Sequence, residues 1–132
     1  MIDIENELYT RIAQRLRKEF DSIHISGEYV REPAKFPHVT IIQQDNSSYE
    51  PTMTHEEVHS LLMFEVNVYS NKLSGKKTEC KQIMKIINEE FMDMGFRRTV
   101  LRPVPNLYDA TIYRMVARYT GVVSKDKIVC RR

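Results

Sequence analysis

The sequence predicts an α+β protein in which two helices pack on one face of a mainly antiparallel sheet of about five strands. Two segments show the apolar spacing of helices, and several shorter segments alternate apolar and polar residues. The helical segments stand before and between runs of strands, so the predicted order is α-β-β-β-α-β-β. A length of 132 residues fits one domain with its own core.

The first helix is predicted from an apolar residue at every fourth position. This stripe consists of Ile4, Leu8, Ile12, Leu16 and Phe20, widened by Tyr9 and Ala13. Asp3 is expected to cap the start of the helix, because a carboxylate accepts hydrogen bonds from the free N–H groups there.

Three strands are predicted next. The first begins at Ile23 and the second covers residues 39–44, while in the third, from Leu62, apolar and polar residues alternate cleanly. Residues 45–54 are polar and include Pro51, so they are predicted to form a long loop.

The second helix is predicted from another stripe, formed by Cys80, Ile83, Met84, Ile87, Phe91 and Met94. Gly95 follows it, where a left-handed C-terminal cap belongs. Two strands, at residues 96–102 and 110–123, complete a single domain over residues 1–123. Residues 124–132 are basic and polar and are expected to form a mobile tail.

Charge is distributed unevenly along the chain, although the net charge is only +2. Residues 1–95 contain 11 Lys and Arg against 16 Asp and Glu, which gives −5. Residues 96–132 contain 9 against 2, which gives +7. Such a division favours an anionic partner or a complementary contact between copies of the chain.

Arginines of the last two strands carry much of this positive charge. Alternation places Arg98 and Arg102 on one face of their strand, with Arg97 opposite, and Arg114 and Arg118 on one face of the next. If the two strands are neighbours, four arginines form a patch suited to phosphates or carboxylates. The alternative is an ordinary solvated sheet face.

One short motif suggests an enzyme. His55, Glu56 and His59 match the H-E-x-x-H pattern of zinc hydrolases, which requires both histidines on one helix. Pro51 lies just upstream, strand alternation begins three residues after His59, and no third ligand is apparent. The sequence therefore predicts no catalytic residue, metal or cofactor, and a zinc hydrolase is the least favoured alternative.

The sequence also lacks the features of a membrane or secreted protein. Its longest apolar run is residues 61–64, far below the ~20 residues of a membrane helix. Acidic residues open the chain, unlike a secretory signal. The two cysteines are accordingly expected to be free thiols in a reducing compartment.

Four stretches together resemble a family of small proteins from tailed phages and prophages. They are FPHVTIIQQDN (36–46), FEVNVYSNKLSGKKTECK (64–81), LRPVPN (101–106) and DATIYRMVARYTGVV (109–123). The family is that of the tail-terminator, or tail-completion, proteins, which are encoded among the head–tail joining genes. The resemblance extends over residues 2–123.

This resemblance implies a structural protein with a small α+β fold and no catalytic residues. Family members form a hexameric ring on the finished tail tube, stop its growth and present a surface to the head connector or stopper protein. DNA passes through the ring without sequence-specific binding. The implied location is the tail or neck of the virion, after assembly in the cytoplasm of the bacterial host.

In this setting Arg98, Arg102, Arg114 and Arg118 are candidates for the ring interface or the lumen. Residues 45–54 and the tail from residue 124 are candidates for contacts with neighbouring proteins. Three alternatives remain: another neck component, such as a head-completion or connector-stopper protein, then a nucleic-acid-binding module, and then the zinc hydrolase.

Overall fold

A computed structural model describes residues 2–28, 33, 35–49, 59–105, 109–124 and 129–130. The helices are α1 (Glu5–Glu19) and α2 (Lys76–Met94). The strands are β1 (His24–Ser26), β2 (His38–Tyr49), β3 (His59–Ser70), β4 (Arg97–Val104), β5 (Tyr113–Ser124) and the two-residue β6 (Val129–Cys130). Up to β5, the elements follow the predicted order.

The sheet has the strand order β1-β2-β3-β5-β4. Only the β1–β2 pair is parallel, and all other neighbours are antiparallel, so the predicted α+β fold with a mainly antiparallel sheet is confirmed. β6 pairs with Val122 and Val123 of β5, beyond the part of β5 that pairs with β4. The sequence did not predict this short strand.

Both helices supply buried side chains to one core. α1 buries Leu8, Ile12, Ala13 and Leu16, as its four-residue repeat predicts. Ile4 occupies the N-cap position in place of Asp3, but the Asp3 carboxylate still accepts the Glu5 N–H at 3.0 Å. The predicted cap is therefore displaced by one residue and keeps its role.

α2 ends at the predicted glycine. Gly95 has φ +96° and donates its N–H to the Met92 carbonyl, and the Phe96 N–H bonds to the Phe91 carbonyl. This pair of hydrogen bonds satisfies carbonyls that the last helical turn leaves free. It also turns the chain so that Phe96 enters the core.

Aromatic rings fill the core between α2 and the sheet. Phe91 stacks on Tyr119 with ring centroids 4.1 Å apart. Phe96 meets Phe64 and Phe91 edge to face at 5.7 and 5.5 Å. These contacts hold α2 directly over β3 and β5.

β2 is longer than predicted, and the loop expected at residues 45–54 is wrong for residues 45–49. Those residues continue β2, with pairs from Asp45–Met63 to Tyr49–His59. The strand is interrupted only by a bulge at Gln44, which shifts the alternation by one residue. Backbone pairing with β3 therefore maintains a strand where the side chains are polar. Residues 50–54 lie outside the described residues.

Neither described helix is both long enough and apolar enough to cross a membrane.

Candidate functional site

The sheet has one face against the helices and one face that turns away from them, which we call the outer face. On β5 the core side chains are Met115, Ala117 and Tyr119. Side chains alternate along a strand, so Arg114 and Arg118 lie on the outer face. This part of the predicted arginine arrangement agrees with the structure.

Two arginines of β4 join them. Directly opposed residues of an antiparallel pair share a face. Arg102 is opposite Val116 and Arg97 is opposite Thr120, and both partners are outer-face residues of β5. Arg97 therefore lies on the face from which the sequence alternation excluded it.

We call this set the arginine ladder, and its members in order along the sheet are Arg114, Arg102, Arg118 and Arg97.

Arg98 is not part of the arginine ladder, so the predicted grouping is wrong at this position. It is opposite Tyr119 on the helix face, where its guanidinium donates to Asn88 Oδ1 at 3.2 Å. The cause is a bulge at Thr99, where the register with β5 skips one residue. A bulge reverses the alternation, so Arg98 and Arg102 point to opposite faces.

The arginine ladder is regular in spacing. Successive members alternate between β5 and β4, and each step advances two residues along the strands, or about 6.7 Å. Diagonal neighbours are about 7–8 Å apart at the backbone, within reach of arginine side chains. The backbone positions of the four arginines therefore extend over about 20 Å of the sheet.

The Arg114 end of the arginine ladder is held in place. The Nε and Nη2 atoms of Arg114 both donate to Asn67 Oδ1, at 2.9 and 2.7 Å. Its guanidinium also lies 5.6 Å from the centroid of the Tyr69 ring, a cation–π distance. Arg114 is therefore half-buried and pre-oriented.

The other three members are open to solvent. Arg118 comes no closer than 3.9 Å to a Glu65 oxygen, beyond hydrogen-bonding distance. The other Glu65 oxygen accepts the Gln44 side-chain amide at 2.8 Å. Arg97 and Arg102 are exposed and make no hydrogen bond or ion pair with the described part of the chain. The donors of all three can therefore bind an anion.

A polar strip continues from Arg114 across the outer face. Tyr69 is opposite Arg114, His38 is opposite Tyr69, and His24 is opposite His38. Burial, and then the charge of His24, lowers the pKa of His38. His38 Nε2 and Thr40 Oγ1 are buried and have no hydrogen-bond partner among the described residues.

The zinc motif receives no support at its second histidine. His59 is the first residue of β3 and pairs with Tyr49 and Ser124, whereas the motif needs a helix at this point. His55 and Glu56 lie outside the described residues. Across the ranges that are described, no three His, Cys, Asp or Glu side chains are arranged to hold a metal ion.

Cys80 is equally unsuited to nucleophilic chemistry. It is fully buried on α2, and burial raises the pKa of its thiol to about 12. The thiolate is the reactive form, so little of it exists at neutral pH.

Comparison with protein families and curated proteins identifies no relative of this chain. No protein-family model matches the sequence, and no curated protein matches it significantly. Among the described residues, the arginine ladder is therefore the strongest candidate for a functional site.

Proposed function

We propose that this protein is a structural, non-enzymatic tail terminator that closes on the end of a phage tail tube as a ring, which is a hexamer in the family it resembles. The ring would bury the growing surface of the tube and present a different surface to the head connector. The proposal rests on the sequence resemblance over residues 2–123 and on a fold of the kind that the resemblance implies.

The structural observation that favours this proposal is the uncompensated positive charge of the arginine ladder. The described helices are nearly balanced: α1 carries three acidic and four basic residues, and α2 carries four of each. The outer face at β4 and β5 carries four arginines, and among the described residues only Arg118 has a carboxylate nearby. A small domain with such unlike surfaces is suited to an assembly in which each surface meets a different neighbour.

The sequence between β2 and β3 carries charge of the opposite sign. Residues 50–58 contain three glutamates and no lysine or arginine. A head-to-tail contact between copies brings two different patches together and closes into a ring when the rotation permits. Charge complementarity of this kind supports self-association.

Two measurements test the proposal. Native mass spectrometry of the purified protein should show one oligomer whose mass is a multiple of the 15.6 kDa chain, with six copies expected. Electron microscopy of particles assembled without the protein should show overlong tails, because nothing would stop tube growth.

The microscopy also separates the proposal from its nearest alternative. Tails of normal length attached to leaking heads, or detached from them, would contradict a terminator and indicate a stopper or head-completion protein. That result would keep the protein in the neck of the virion but change its position there.

A further inference from the structure

We propose that the arginine ladder is a binding site for the phosphate backbone of double-stranded DNA, without preference for base sequence. The site consists of Arg97, Arg102, Arg114 and Arg118. It is complete within one chain, so the inference does not depend on ring formation.

The geometry favours a long, regular polyanion. The four arginine positions form a row about 20 Å long that alternates between β5 and β4, with near-equal steps along the strands. One strand of a DNA duplex carries one phosphate per about 3.4 Å of helix axis, so the row spans the axial rise of about six phosphates. Arginine forks bind phosphate oxygens with two N–H groups at once.

The composition of the outer face is unlike that of a typical protein interface with an apolar core. Protein interfaces have a core rich in aromatic and other large apolar side chains and poor in charge. The exposed large apolar residues of the described chain are Leu61, Leu73, Met92 and Leu101, and none lies between the arginines on this face. Leu61 shares the outer face but lies on β3, past the Arg97 end of the row.

The same surface argues for duplex rather than single-stranded DNA. Sites for single strands combine cations with exposed aromatic rings on which the bases stack. Among the described residues, the aromatic ring beside the arginine ladder is that of Tyr69, and it is buried beneath Arg114. Cations without stacking rings suit the backbone of a duplex, whose bases are already stacked.

The arginines also differ in their expected contribution. Arg114 is held by Asn67 and Tyr69, so its role is to present a fixed charge. Arg97 and Arg102 have no partner within the described chain, so their donors are available without breaking existing contacts. Removing these two arginines should therefore weaken binding while leaving the fold intact.

The test measures binding of the full-length protein to two fluorescently labelled 25-bp duplexes of unrelated sequence, by anisotropy, across a salt series. The ladder variant is Arg97→Gln/Arg102→Gln. The control variant is Arg17→Gln/Arg98→Gln, which removes the same charge from α1 and from the helix face of β4. Circular dichroism and native mass spectrometry without DNA compare the fold and assembly of each variant with the wild type.

The wild type is expected to bind both duplexes equally, with log Kobs falling linearly against log salt concentration. The ladder variant should lower the steepness of that slope by about 2, since each lost phosphate contact removes about 0.9. The control variant should leave the slope within about 0.5 of the wild type.

Three results would overturn the inference. One is the absence of duplex binding by the wild type at 50 mM salt, and another is an equal change of slope in the ladder and control variants. The third is a ladder variant that binds DNA normally but loses its oligomeric state, which would identify the row as a contact with an acidic protein surface. Failure of ring formation alone would contradict the proposed function and leave this inference standing.

Discussion

Glu90 is a buried carboxylate that joins the two helices. Its side chain on α2 receives the Arg11 Nε at 2.8 Å and the Arg15 Nη1 at 2.9 Å. The hydrogen bond to Glu90 is the main reason that the pKa of Arg15 is raised, and Glu89 adds to it. Two charge-assisted hydrogen bonds offset the cost of burying this acid.

Replacing Glu90 should therefore destabilise the fold. We expect Glu90→Ala to lower the free energy of unfolding by about 2 kcal/mol, because both arginines lose their buried partner. Urea denaturation measures the change. The matched control is Glu89→Ala, since Glu89 is half-exposed and accepts only Arg15 at 3.0 Å. Equal losses in the two variants would show that burial of Glu90 does not matter.

The ionisation of Tyr119 and Cys80 makes the free energy of unfolding depend on pH in the alkaline range. Burial raises the pKa of each group to about 12, opposed at Tyr119 by the nearby Arg98 charge and reinforced at Cys80 by Glu79. Their ordinary pKa values are 10.0 and 9.0. The unfolded chain therefore loses these protons at a lower pH than the folded chain does.

Because of this difference in pKa, the free energy of unfolding falls as the pH rises. A raised folded-state pKa gives stability that is complete below the unfolded pKa and is lost as pH rises toward the folded one. We expect the free energy of unfolding to decline between about pH 9 and pH 12. Urea titrations at several pH values should show a shallower decline in Tyr119→Phe and in Cys80→Ala. A wild-type slope in both variants would contradict this assignment.

At the level of the elements, Gly95 determines how α2 ends. Its φ of +96° lies in the left-handed region, which costs other residues about 1–2 kcal/mol. Gly95→Ala should therefore lower the free energy of unfolding by about 1 kcal/mol in urea denaturation.

Gly27→Ala provides the matched control for Gly95. A Cβ atom at Gly27 would meet the Tyr9 ring at an ordinary 3.8 Å, and the backbone there has no strained φ. This change should leave stability within about 0.5 kcal/mol of the wild type. A loss at Gly27 as large as that at Gly95 would contradict the role of backbone conformation.

The helices were predictable because their signal is local. Four-residue apolar spacing fixes which side of α1 is buried, and the glycine after α2 marks its end. The strands were less predictable at their bulges. Gln44 and Thr99 each shift the register by one residue. A bulge depends on how two strands pair, and the alternation within one segment carries no information about that pairing.

The candidate site shows the same limit. Three of its four arginines, Arg102, Arg114 and Arg118, were predicted from alternation and from the neighbouring positions of their strands. The fourth was assigned to Arg98, but the bulge at Thr99 replaces it with Arg97. The hydrogen bonds that orient Arg114 join residues 47 positions apart, and alternation within one strand carries no signal of them.

For the molecule as a whole, the structure refines the division of charge seen along the sequence. Within the described residues, the basic C-terminal segment does not place all of its charge on one face, because Arg98 points toward α2 and pairs with Asn88. The remaining arginines of β4 and β5 are gathered on one face. Position on the outer face, rather than position in the sequence, therefore decides which charges a partner meets.

The folded domain is expected to end near Ser124. The five main strands are complete at Ser124, and β6 adds only two paired residues at the edge of β5. A chain that ends at Ser124 should fold and lose no more than about 1 kcal/mol, with an unchanged dependence on urea concentration. A chain that ends at Tyr119 should fail to fold, because it removes the buried Val123 and the pairs that residues 120–124 form with β3. Circular dichroism and urea denaturation of both chains make the comparison. Loss of folding in the longer chain would place residues after Ser124 within the domain instead of in a separate tail.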